Sequence, residues 1–401
     1  MTETGGVVST HRASTHVEPT PNILVVGSGN AETVLDLGDD LVIGQKHDVK
    51  RVELYGGSGV NYALRLAHYD GTRVLPILSI GQDAIGRSIQ QELLQAMDAG
   101  RVRTPASDFM AHPDLLCIGL TTPQSTVVTA NEQRTIFREA MRGAEHFCAF
   151  AERRLEEVLA LDGSTLNVGA AMIGHIYADR PGVCTAEGGS ITRRVIDAFR
   201  DRAILFANFG ESQYCLGALF WEQDLRALTV FQLSVEEARH FFWGCDRRAQ
   251  RRPAQAAPGS LADKLRWFQE REITAVLTLD RFGAVATFRG SKGVVFAPAF
   301  ELDSFLDSTG AGDAFGAGLV HSLCQAGRPP TLEEFVAAIA TARLWSAYAC
   351  TTRGAASECP SQVELAAFED ELHQKGQAPE QIDCRDLADW DGILRILDKA
   401  Y

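Results

Sequence analysis

The chain has 401 residues, 45% of them hydrophobic and 22% charged, with a formal net charge of −14 and a pI near 5.2. This is ordinary globular composition, and the acidic balance excludes a protein that grips nucleic acid through a broadly basic surface. The length suits two to three domains of about 150 residues each, or one large α/β domain with tails.

Residues 1–20 are Thr-, Ser-, His- and Pro-containing with no apolar period and are expected to be a flexible tail. Neither a basic n-region nor an apolar h-region is visible there, so the expected compartment is the cytoplasm. From Asn22 the run Ile23-Leu24-Val25-Val26 closes at Gly27 and predicts a strand buried on both faces. Arg73 to Ile80 predicts a second strand, followed by helical spacing through Ile85, Ile89, Leu93, Leu94 and Met97. The same alternation returns at Ala203–Phe206, Ala275–Leu279 and Phe315–Ala326, the pattern of a mostly parallel sheet flanked by helices.

Two stretches fall outside that alternation. Val49–Tyr55 and Ser125–Phe137 alternate apolar and polar residues without an adjacent helix and predict a small β-lid, with strands at about residues 45–56 and 120–140. Capping boxes mark helix starts at Ser234 with Glu237 and at Thr331 with Glu334. Residues 247–260, with four arginines, predict an exposed loop whose charges are solvated. The nine cysteines form no Cys-x-x-Cys pair, which predicts buried free thiols rather than zinc or disulfides. No window reaches the roughly 18 apolar residues of a bilayer span.

Chemistry concentrates in two glycine-rich turns. In Asp307-Ser308-Thr309-Gly310-Ala311-Gly312-Asp313 the N–H groups of Gly310, Ala311 and Gly312 can converge at a helix N-terminus, a ready anion site. Asp313, in the first turn, is favoured as a carboxylate that can accept a proton. A base beside an anion hole and a plain N-cap aspartate both fit this run. Tyr55-Gly56-Gly57-Ser58-Gly59-Val60-Asn61 also opens a helix; Asn61 carries the donors and acceptor that orient hydroxyls, and a simple loop and cap fits equally. No Gly-Lys-Ser/Thr follows either turn, and Gly27-Ser28-Gly29 lacks the third glycine of a dinucleotide fingerprint.

Together these turns resemble the two signatures of the ribokinase (PfkB) family of sugar and nucleoside kinases, over residues 21–365. The resemblance implies a three-layer α/β fold with a β-lid, and transfer of the γ-phosphate of ATP, with Mg²⁺, to a hydroxymethyl group of a sugar. It makes Asp313 the base and Gly310, Ala311 and Gly312 the anion hole. Asn208-Phe209-Gly210-Glu211 resembles the family's Asn-x-x-Glu, so Asn208 and Glu211 would order the metal through water. Thr278, Gly283 and Gly354 would face the nucleotide, and Asp307 would lie by a monovalent cation, K⁺. Glu32, in place of the family's Asp, would hold the acceptor with Gly57, Ser58 and Asn61.

Departures bear on substrate. Asp280 stands where the family has glycine and would set a carboxylate near nucleotide phosphates, weakening ATP. Arg134 and Arg138, beside a lid strand, are read as surface charges, with binding of a phosphosugar's phosphate as the other reading. The expected partners are therefore a small sugar or nucleoside and ATP, with no nucleic acid or membrane and a homodimer formed through the lid. The alternatives are a nucleoside kinase and a catalytically weak binding protein of the same fold. Residues 366–401 are expected to be an added, acidic, helical extension.

Overall fold

The computed structural model describes residues 22–38, 40–69, 72–98, 115–130, 133–139, 141–163, 166–179, 189–243, 258–324, 329–356, 359–390 and 394. The expected tail at 1–20 and the arginines at 247–252 lie outside these residues.

Thirteen strands form two sheets among the described residues. In the larger, β4 (Arg73–Ser79), β1 (Asn22–Ser28), β7 (Val168–Ile173), β8 (Ile204–Asn208), β9 (Val230–Ser234) and β10 (Ala275–Thr278) run parallel in that order. Beyond β10 come β11 (Ala284–Thr287), β12 (Gly293–Ala297) and β13 (Asp383–Asp386), each antiparallel to its neighbour. Side chains alternate across this sheet into two cores. Leu24, Val26, Leu205, Phe231 and Leu277 pack under α3 (Ala144–Leu161), α4 (Ile191–Phe199), α6 (Ala218–Ala227), α7 (Val235–Trp243) and α8 (Leu261–Glu270). Ile23, Val25, Phe206, Val230 and Val276 pack under α1 (Ser58–His68), α2 (Ala84–Asp98), α9 (Ala311–Cys324) and α10 (Leu332–Ala349). The expected helix–sheet–helix layering is therefore present, with one further short helix, α5 (Glu211–Tyr214).

The smaller sheet is the lid, ordered β3 (Lys50–Gly56), β2 (Asn30–Asp36), β5 (Gln124–Ala130), β6 (Gln133–Arg138). It has four strands where the sequence predicts two. Ser125–Phe137 is a hairpin rather than one strand, and β2 has every side chain half-buried, so its residues carry no two-faced alternation.

Both expected capping boxes form: Glu237 accepts from the Ser234 N–H at 2.8 Å, and Glu334 from the Thr331 N–H at 2.8 Å. The stretch after residue 365 forms α11 (Gln362–Gln374) and then β13, so it is built into the main sheet. Its connecting loop is tied down by buried Arg343, which donates to the Ala378 and Pro379 carbonyls at 3.1 and 3.2 Å and lies 3.8 Å over the Phe300 ring. Burial pulls the Arg343 pKa down to about 10. Mostly buried free thiols were expected; Cys148 and Cys215 are disulfide-bonded, Cys117, Cys324, Cys350, Cys359 and the exposed Cys384 are free, and Cys184 and Cys245 lie outside the described residues. No helix among the described residues is long and apolar enough to cross a membrane.

Asp83 fastens the approach to the lid. Its carboxylate accepts from the Thr122 N–H and hydroxyl, at 2.7 and 2.8 Å, and from the Gly86 N–H at 2.8 Å. Burial raises its pKa, but these donors outweigh burial and hold it below the ordinary 3.8. A depressed folded-state pKa stabilises above the unfolded value and is lost as pH falls through the folded one. Asp83→Ala is therefore expected to cost about 2 kcal/mol at pH 7 in urea unfolding. The gap to wild type should narrow below pH 3.8; a gap independent of pH would contradict the assignment.

Candidate active site

The turn into α9 holds Gly310 at φ +75°, where an added Cβ would lie 2.5 Å from the Ala355 carbonyl oxygen. Asp307 ties the same turn down: its carboxylate accepts from the Thr309 N–H at 2.9 Å and the Gly354 N–H at 3.2 Å. The first helical bond runs from the Ala314 N–H to the Gly310 carbonyl at 2.8 Å, and the Ala311 N–H is engaged by the Ser308 carbonyl at 3.1 Å. The N–H groups of Gly312 and Asp313 have no acceptor among the described residues. Of the three N–H groups expected to form an anion hole, that of Ala311 closes the turn, while those of Gly310 and Gly312 have no acceptor among the described residues.

Asp313 is half-buried, and Asn61 of α1 donates its side-chain N–H to Asp313 Oδ2 at 2.6 Å. Asn61 is therefore oriented on the base, and its Oδ1 is buried without a partner. Next to it Tyr62 is fully buried; burial, then the charges of Asp313 and Glu237, raise its pKa well above 10 and keep the phenol protonated. Gly57 takes φ +91°, and a Cβ there would meet the Ser28 carbonyl oxygen at 2.7 Å. Ser58 is buried and accepts from the His175 N–H at 2.7 Å, so this hydroxyl braces the fold. Glu32, on β2, accepts from Asn30 at 3.2 Å, and its carboxyl carbon lies 3.3 Å from where a Gly56 Cβ would stand. The lid therefore sets Asn30 and Glu32 beside the turn that begins α1.

A cavity of about 620 Å³ opens on the other side of the α9 N-terminus. Ser234, Thr278, Asp280, Gly283, Gly312 and Phe315 are among its lining residues. Its size and largely apolar lining suit a mononucleotide, and it lies at the carboxyl ends of parallel strands, where such sheets bind ligands. Asp280 takes φ +43°, the left-handed conformation that a glycine adopts without strain, and its exposed carboxylate faces solvent at the cavity wall. Gly283 at φ +102° closes the turn; a Cβ there would sit 2.0 Å from the Ala297 carbonyl oxygen. Gly354 contacts Asp307 and is not part of the cavity lining.

Asn208 and Glu211 are not in that lining either. The Asn208 amide is engaged at both ends, donating to the Gln232 carbonyl at 3.1 Å and contacting His175 Nε2 at 2.9 Å. Glu211 is ion-paired with Arg138, which reaches across from the lid and also lies 5.7 Å over the Tyr177 ring. In sequence, Arg138 reads as a surface charge; in the fold it bridges lid and body. Ser234, one of the polar residues lining the cavity, is paired in register with Thr278, and Glu237 follows one turn later. In sequence these two residues read only as a helix cap.

No family model matches the chain, and no curated protein matches it in sequence. Solved structures do match its fold. The structure of a ribokinase from Giardia lamblia aligns at TM-score 0.65 and 13% identity, covering 87% of this chain and 99% of that one. A Burkholderia thailandensis nucleoside kinase in complex with inosine aligns at 0.59 and 16%, covering 88% and 98%. A Vibrio cholerae fructokinase with bound fructose, ADP and calcium aligns at 0.58 and 19%, covering 88% and 99%. The chain has the ribokinase fold.

Proposed function

We propose that this protein is a phosphotransferase that passes the γ-phosphoryl group of ATP, as its Mg²⁺ complex, to a hydroxymethyl group of a sugar or nucleoside. The observation that carries this reading is Asp313 itself. It stands at a helix N-terminus beside two unpartnered N–H groups, with the nucleotide-sized cavity on one side and Asn61 on the other. The ligands named for the neighbouring structures, ADP with fructose and inosine, support the same division.

In this reading Asp313 takes the proton of the acceptor hydroxyl as that oxygen attacks the γ-phosphorus. Asn61 fixes the carboxylate, and the Gly312 and Asp313 N–H groups hold the charge of the transferring group. Phosphoryl transfer asks little covalent chemistry of the protein, so positioning and charge carry most of the effect. Asn30, Glu32 and Gly57 border the acceptor.

Magnesium, when bound, neutralises phosphate charge. It takes oxygen ligands and keeps several waters; Ser234 offers a hydroxyl oxygen in the cavity lining, and Asn208 and Glu211, engaged by Gln232, His175 and Arg138, would act on the ion through water. Potassium would be an addition at the Asp307 loop, where the carboxylate already binds Thr309 and Gly354. Exposed Ile136 and Phe137 on the lid's outer strand suit pairing with a second copy.

The test is ADP release from MgATP across free pentoses, hexoses, phosphosugars and nucleosides. One acceptor class should stimulate release. Silence across the panel, from folded protein whose melting temperature ATP does not shift, would favour the non-catalytic binding protein.

A further inference from the structure

Beneath the site, five hydrogen bonds join α1, the loop after β7, strands β8 and β9, and α9 into a closed circuit. The Ser58 hydroxyl of α1 accepts from the His175 N–H at 2.7 Å, and His175 Nε2 lies 2.9 Å from Asn208 Oδ1. Asn208 Nδ2 donates to the Gln232 carbonyl at 3.1 Å, and Gln232 Nε2 donates to the Gly312 carbonyl at 2.8 Å. Gly312 leads into Asp313, whose carboxylate accepts from Asn61 of α1 at 2.6 Å. Because Nδ2 of Asn208 faces a carbonyl, its Oδ1 faces His175, which fixes the amide orientation and puts the His175 proton on Nε2.

Gln232 is the link between sheet and helix. It is 2% exposed, yet a buried glutamine in a parallel strand is costly unless its amide is needed, and its Oε1 has no partner. α9 approaches it closely at Gly316, where an added Cβ would lie 3.2 Å from that Oε1 and 2.7 Å from the Phe206 ring. The bond to Gly312 fixes the rotation and rise of the turn that carries the Gly312 and Asp313 N–H groups and the Asp313 carboxylate.

We infer that Gln232 is a positioning residue for phosphoryl transfer, acting through the Gly312 carbonyl, and that Asn208 supports the strand from which it acts. The inference rests on the proposed kinase reading for its effect on rate, but not for its effect on structure. Gln232→Met keeps the side-chain length and removes the donor. Its kcat is expected to fall about tenfold, with both KM values within about twofold, because a displaced base slows chemistry without weakening ground-state binding. Hydrogen exchange of the amides in 310–316 should quicken about tenfold, while β9 and the melting temperature stay near wild type.

Unchanged exchange, or a kcat loss matched by a general loss of stability, would overturn the inference. If the wild type phosphorylates no acceptor, the kinase reading fails and the exchange result alone decides the role of Gln232. Gln232→Asn, whose amide is too short to reach Gly312, replaces the Met variant if that variant does not fold, with the same outcomes expected.

Discussion

Asp313→Asn is expected to lower kcat by about 10² to 10⁴ while both KM values and the melting temperature stay close to wild type. The amide is isosteric and can still present an oxygen to Asn61, whose side chain donates to Asp313 Oδ2 at 2.6 Å, so packing and the first turn of α9 should persist. What is lost is the capacity to take a proton from the acceptor hydroxyl as the phosphorus–oxygen bond forms. Steady-state kinetics with the acceptor class identified by the panel, beside a melting curve, makes the comparison. Turnover within threefold of wild type from a folded variant would remove Asp313 as the base.

Gly310→Ala should be the next most damaging single change. Its Cβ would stand 2.5 Å from the Ala355 carbonyl oxygen and 2.7 Å from the Ala355 Cα, at φ +75°. Those neighbours are backbone, so no rotamer change relieves the clash. Either the start of α9 or the 352–356 loop must move, and the first carries Asp313 while the second is tied to Asp307 through Gly354. A loss of about 10² in turnover is expected, with about 1–3 kcal/mol of stability. Gly312→Ala is the matched control for stability: its Cβ would find only Gln232 Nε2, at 3.8 Å, an ordinary contact. Equal melting-temperature losses in the two variants would show that the close approach to Ala355 does not constrain the turn.

How far the site is legible in sequence depends on what each residue needs to be recognised. The glycine-rich turn and Asp313 declare themselves because a positive φ, a close approach and a first-turn carboxylate are local requirements. What the residues that end β8 and β9 touch is not local. Asn208-x-x-Glu211 and Ser234-x-x-Glu237 follow consecutive strands with the same spacing, and only the sheet order shows that Ser234 abuts Thr278 while Asn208 faces His175. In the same way Arg138 and Glu211 are 73 residues apart, and nothing in either segment announces the pairing. β2 escapes notice because a half-buried strand shows neither a polar nor an apolar face. The layering of the main sheet, by contrast, follows directly from runs such as Ile23–Val26, buried on both faces.

The pairing of β13 with β12 ties sheet completion to the order of synthesis. Strand β12 is made well before residues 383–386, and until they emerge its outer row of N–H and C=O groups has no strand to pair with. A growing chain therefore passes through a state in which the parallel core is assembled but one border is still adhesive. Arg343 is caught in the same interval, since the Ala378 and Pro379 carbonyls that receive its guanidinium are translated only after the rest of the cavity wall. Completion of the cavity wall and protection of the sheet from edge-to-edge association thus wait on the same stretch of chain, residues 378–386.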